Sequence, residues 1–413
     1  MADRLGHPVQ HERQRCDLQP GDPARRRQAG RQGTHPSERP RQHGAVLQRH
    51  LHHRHASGRP AHWSLTLLTR SAESLLRRAS TPLAASGSLL LAIDERLLPA
   101  AGRLHDAASR NSRRWEHVVK IGRTHLEDAT PLTVGQGWSG YAAQLQDAIE
   151  HLTATRSGLY RLAIGGTAVG TGLNAPPGFA DEVAAKLAGL TGHPFVSASN
   201  KFAAQASCDA LVRVSSAVRA LAVTLFKFAN DMRWLGSGPR TGLHELRLPS
   251  YEPGSSIMPG KVNPTQAEAM LMVALQVMGN DTAVSMARAE GNFELNAFRP
   301  IIINNVLHSV RILTDMMDHF RVYLVDGVEL DEETLQRNIE RSIMMVTALS
   351  PVIGYDHAAR IAHHALDDGL TLKQAALDSG VSETLFDQVV DPERLTRPGA
   401  AGSASGTPAA RRK

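Results

Sequence analysis

The sequence predicts an all-α protein, a long central helix bundle followed by a small helical C-terminal domain. Three observations carry that expectation. Leu211, Val214, Val218, Leu221, Leu225, Phe228, Met232 and Leu235 recur at spacings of three and four, a seam sustained over about seven turns. Ile303, Val306, Val310, Leu313, Met317 and Phe320 repeat the pattern. Between them, Thr265 to Met278 is apolar nearly all round and must be covered on every side, by its neighbours and then by partner subunits. The Gly/Pro loops between these helices favour a bundle over a single long coiled-coil dimer.

In chain order, the expected division is an aberrant segment at 1–90, a central helical catalytic domain at 91–326, a small helical domain at 327–395 and a disordered tail at 396–413. Residues 1–60 hold twelve Arg and eight His but no Lys, and show no strand or helix period. Composition makes this a disordered tail. Arg25-Arg26-Arg27 could attract nucleic acid, and His52-His53-Arg54-His55 a metal. Its five acids and many prolines argue against a transit peptide. The net charge of +6 originates here, because the rest of the chain holds 34 basic against 35 acidic residues. The body therefore has no electrostatic signature of a nucleic-acid partner. Within 327–395, helices are expected near Asp331–Thr347, Asp356–Asp368 and Leu372–Ser379.

Composition also excludes several classes. No run of about 18 apolar residues offers a membrane span. The only cysteines are Cys16 and Cys208, too few for a disulfide framework or a cysteine-ligated iron–sulfur cluster, and suited to a reducing cytoplasm.

The chemistry concentrates in Gly254–Ala269, GSSIMPGKVNPTQAEA. Gly254, Pro259, Gly260 and Pro264 make its first half irregular. Pro264 suits the first helical position and leaves Asn263 as the expected N-cap. Such a loop offers backbone N–H groups, Lys261 and Asn263 to an anion. A second segment, Gly122–Gln136, reads GRTHLEDATPLTVGQ. A third, GGTAVGTGLN from Gly165 to Asn174, lacks both GxGxxG and a GK[ST] ending, so close backbone packing explains its glycines better than a phosphate does.

These strings, with GNFELNAFRP at Gly291–Pro300, resemble the fumarase/aspartase superfamily from about Leu97 to about Leu395. The Thr124-His125 pair and the continuation Thr265-Gln266-Ala267-Glu268 after Asn263-Pro264 are similar to class II fumarate hydratase. They count against the runner-up, an aspartate ammonia-lyase or related fumarate-releasing lyase. One departure is Glu127, where the family usually has Gln. The resemblance implies reversible anti hydration of fumarate to malate in the tricarboxylic acid cycle, by a homotetramer whose sites are shared between subunits, with no cofactor or metal. It implies Ser255 as the base taking the carbon-bound proton, with Ser256 beside it open to confusion. It implies His125 handling the proton of water, Glu268 charging His125, and Thr124, Lys261 and Asn263 holding the substrate carboxylates. Charge building on the aci-carboxylate is the main electrostatic task, which Lys261, Asn263 and the loop N–H groups suit.

The resemblance also explains the N-terminus. Read one base out of frame with suitable synonymous codons, Ala2–Arg15 can spell QTGSGTQSNMNANE, and Glu38–His50 can spell NDHVNMGQSSND. Both resemble N-terminal substrate-binding motifs of class II fumarate hydratase, in order and with the same offset. Roughly residues 2–58 are thus expected to be an out-of-frame translation, leaving the N-terminal domain missing or garbled and an inactive homologue as a further alternative.

Overall fold

The computed structural model describes residues 82–251, 254 and 257–399. The N-terminal readings on residues 1–81, the proposed tail beyond 399, and Ser255 and Ser256 lie outside the described residues.

The body is helical, as the seams require. Helix α1 (Pro82–Ala92) runs through a π-turn at Ile93–Leu97 into α2 (Leu98–Arg114). A hairpin of β1 (Val119–Thr124) and β2 (Glu127–Thr133) leads into α3 (Val134–Thr155). Then come α4 (Phe179–Thr191), α5 (Lys201–Ala206), α6 (Asp209–Leu235), α7 (Thr265–Ala289) and α8 (Arg299–Phe320). The heaviest packing joins α6 to α7, α7 to α8 and α2 to α3, the core of the bundle. Val214, Val218, Leu221, Leu225, Phe228 and Met232 of the first seam are all buried, as are Ile303, Val306, Val310, Leu313, Met317 and Phe320 of the second. Phe228 stacks on Tyr141 with ring centroids 4.5 Å apart and meets Trp138 and Phe320 edge-on at 5.6 and 5.4 Å, tying α3, α6 and α8 together.

Helix α7 is apolar on more sides than its own chain covers. Ala267, Met270, Ala274 and Val277 are buried, whereas Met272, Leu275 and Met286 are 64%, 57% and 67% exposed. No helix among the described residues is long and apolar enough to cross a membrane.

Beyond the bundle lie α9 (Glu332–Arg341), a four-residue turn at Ser350–Ile353, α10 (Tyr355–Asp367), α11 (Leu372–Asp378) and α12 (Glu383–Val389). The expected helix at 331–347 is shorter: it breaks at Ser342, where ψ swings to 124° and the hydroxyl accepts from the Met344 N–H. Asp331 caps its start, accepting from the Thr334 N–H at 2.9 Å. A second hydrophobic cluster gathers Ile339, Leu349, Ile361, Leu372, Ala376 and Phe386, together with Ile121 from the hairpin. Leu335 belongs instead to the bundle core.

Two further ladders are minimal. Strand β3 (Arg161–Leu162) pairs in parallel with β4 (Val196–Ser197), and β5 (Leu246–Arg247) pairs antiparallel with β6 (Glu329–Leu330).

Candidate active site

The GRTHLEDATPLTVGQ segment folds as a hairpin leading into a helix. Thr124 pairs with Glu127, leaving His125 and Leu126 as a two-residue turn with φ of 58° and 66°. Positive φ at both positions defines the type I′ turn whose twist matches the strands it joins. The register slips between Ile121 and Arg123, so two residues of β2 oppose Gly122. A Cβ at Gly122 would stand 2.7 Å from the Thr130 carbonyl oxygen, so only glycine fits this close approach. Strand β2 ends in a capping box: Gln136 N–H donates to Thr133 Oγ1 at 3.0 Å and Thr133 N–H to Gln136 Oε1 at 2.9 Å. The base of the hairpin is thus anchored by Ile121, 1% exposed, and by a rigid helix start. Its tip, from Thr124 to Asp128, is exposed.

Two cations on β1 meet one buried carboxylate. Lys120 Nζ lies 2.5 Å from Glu245 Oε2 and Arg123 donates to Glu245 Oε1 at 2.6 Å, with Glu245 only 1% exposed. Asn338 of α9 adds a third donor to Oε1 at 3.2 Å. Sequence reading missed Glu245. Nothing in the local string Leu243–Leu248, which alternates leucines with His244, Glu245 and Arg247, singles it out.

The loop of Gly254–Asn263 closes on itself. Gly254 has φ of 34°, and a Cβ there would stand 2.9 Å from the Lys261 carbonyl oxygen. Gly260 takes φ of 82°, and the Lys261 N–H donates to Met258 O at 3.1 Å. Lys261 and Asn263 are exposed. One expectation needs correction: Pro264, not Asn263, is the N-cap of α7, and no side chain caps it. The residue before a proline is pushed toward extended backbone, which leaves Asn263 in the loop. Glu268 sits in the first turn, half-buried, its Oε1 3.7 Å from the Arg233 guanidinium of α6. Neither a hydrogen bond nor an ion pair joins it to His125 among the described residues, so one chain does not make the expected His125–Glu268 pair.

The other two strings meet at Gln205 of α5. Its Nε2 donates to the carbonyls of Thr167 and Ala168 at 3.0 and 3.3 Å. Its own carbonyl accepts from the Asn296 N–H at 3.3 Å and from the Arg299 guanidinium. A Cβ at Gly166 would collide with Gln205 Oε1 at 1.9 Å, which gives the close packing expected of Gly165–Asn174.

Residues 79–279 match the family described as "Lyase", and residues 345–397 that described as "Fumarase C C-terminus". "Fumarate hydratase class II" of Methanosarcina acetivorans is 59% identical over 315 residues, 76% of this chain and 65% of that protein. The protein of that name from Myxococcus xanthus is 55% identical over 316 residues, 76% of this chain and 68% of its own length. The crystal structure of class II fumarase from Schistosoma mansoni superposes with a TM-score of 0.75 at 40% identity, covering 76% of this chain and 69% of that one. The chain therefore spans about two thirds of the length of these relatives. It belongs to the class II fumarate hydratase family.

Proposed function

We propose that the chain catalyses the reversible anti addition of water to fumarate, giving malate. The observation that carries this reading is the pair of exposed elements: a hairpin tip offering Thr124 and His125, and a Gly/Pro loop offering Lys261 and Asn263. When malate is dehydrated, Ser255 takes the carbon-bound proton. Lys261, Asn263 and the loop N–H groups stabilise the charge that builds on the adjacent carboxylate. Thr124 holds a carboxylate, and His125, charged by Glu268, manages the proton of the departing water.

His125 and Glu268 do not pair within one chain, so the working site needs further copies. Exposed Met272, Leu275 and Met286 on α7 support a homotetramer that covers this helix and brings hairpin and loop together from different subunits. Division of the body into a catalytic part at 91–326 and a smaller part at 327–395 is supported by two hydrophobic clusters, with Leu335 and Ile121 as cross-ties. A cytoplasmic location fits the free, buried Cys208.

The test is malate–fumarate interconversion by the purified full chain, followed by absorbance, with aspartate offered separately. Hydration abolished by Ser255→Ala supports the proposal. Release of fumarate from aspartate, or no turnover by folded protein, rejects it.

A further inference from the structure

We infer that Glu245 is a positioning residue that sets the direction of the hairpin tip carrying Thr124 and His125, an inference whose catalytic consequence rests on the hydratase reading above. The argument begins with strand geometry. Side chains alternate along a strand, so Lys120 and Arg123 leave β1 from opposite faces. Both nevertheless reach Glu245, at 2.5 and 2.6 Å. A carboxylate within reach of both must lie along the strand's edge, where the faces meet.

That edge is free of strand pairing, since β1 pairs only with β2 among the described residues. Helix α9 packs against β1, and its Asn338 supplies the third donor to Glu245. Gripping a two-stranded ribbon from both faces of one strand restrains its rotation about its own axis. Ile121 and the capping box hold the base of the hairpin, so the clasp adds a restraint nearer the tip. The bulge opposite Gly122 lies between the two gripped positions and adds local twist, so the clasp spans the point where the ribbon bends.

Glu245 is itself held firmly. Its N–H donates to Leu235 O at the end of α6 at 2.8 Å, and its carbonyl accepts from the Asp331 N–H at 3.0 Å. The carboxylate therefore transmits the position of the bundle and of the α9 start to the hairpin. With two cations and an amide on a side chain 1% exposed, its loss would leave Lys120, 14% exposed, without its anion and Arg123 with only Asp128, 4.0 Å away. Nothing in the hydration chemistry uses Glu245 directly, which separates it from the residues that would touch substrate.

The experiment compares the full-length protein with Glu245→Gln and Glu245→Asp, measuring kcat per folded assembly and amide hydrogen exchange over residues 120–128 and over α6–α8. The expected result is a fall in kcat of about 10²-fold for Glu245→Gln, faster exchange confined to the hairpin, and partial recovery in Glu245→Asp. Unchanged kcat with wild-type hairpin exchange overturns the inference, as does exchange that rises uniformly through the bundle, the mark of a merely structural role. Should Glu245→Gln not fold, Lys120→Met, which leaves Arg123 and Asn338 on the carboxylate, is read by the same two criteria. A wild-type chain with no hydratase activity defeats the functional reading alone, and hairpin exchange then decides the positioning.

Discussion

The bundle and the site-bearing segments obey different rules. In α6, α7 and α8 each buried side chain meets its partners inside the same chain, and the aromatic group around Phe228 is closed by residues of three helices. At the hairpin tip and the Gly254–Asn263 loop, Thr124, His125, Lys261 and Asn263 are exposed, and neither a hydrogen bond nor an ion pair joins His125 to Glu268 among the described residues. The residues that fold the bundle and those proposed for the reaction are different sets, and under the proposal above the second set works only in the assembly. A change in either region should therefore register in only one kind of measurement.

The strongest break in that separation is expected at the tip. His125→Gln should lower hydration by about 10²–10⁴-fold while shifting unfolding free energy by no more than about 0.5 kcal/mol. Denaturant titration beside steady-state kinetics checks both halves, and an equal loss of stability would show that the tip is structural. The converse substitution, Phe228→Ala, should cost about 3–5 kcal/mol of stability through the cavity left among Tyr141, Trp138 and Phe320. Any protein that stays folded should keep near-normal turnover.

A smaller effect sharpens the comparison at the seam between regions. Asp331 is 7% exposed, and burial pushes its carboxyl up. Hydrogen bonds from the Thr334 amide and hydroxyl and from the Arg247 guanidinium outweigh that, holding it at about 2. A depressed carboxylate contributes stability that is fully present above its unfolded value of about 4 and is lost as pH falls through the folded value. Asp331→Asn should flatten the stability profile in that acid window and leave the profile near neutrality parallel to wild type. An unaltered acid limb would show that other carboxylates carry it.

Legibility in the sequence follows the same division. The two seams were readable because helical burial repeats every three or four residues, a signal contained in short stretches of chain. The hairpin was missed although Val119 and Ile121 alternate, because its remaining positions are mostly polar and its turn uses His125-Leu126, not Asn-Gly. The α9 helix was drawn too long because Ser342 gives no local warning of a break. Glu245 could not be valued from sequence, since its partners Lys120, Arg123 and Asn338 lie 125, 122 and 93 residues away. For the candidate site, sequence supplied the side chains, but that neither a hydrogen bond nor an ion pair joins His125 to Glu268 among the described residues emerged only in three dimensions.

The left-handed turn has a consequence for anyone seeking a hardier enzyme. His125 and Leu126 adopt φ of 58° and 66°, a backbone that disfavours L side chains by roughly 1–2 kcal/mol each. Selection for heat resistance alone would drift toward Asn-Gly at these two positions and discard the imidazole in the process. Evolution toward thermal tolerance must therefore screen turnover in every round, because the most rewarding local mutation is also the one that would silence the proposed chemistry.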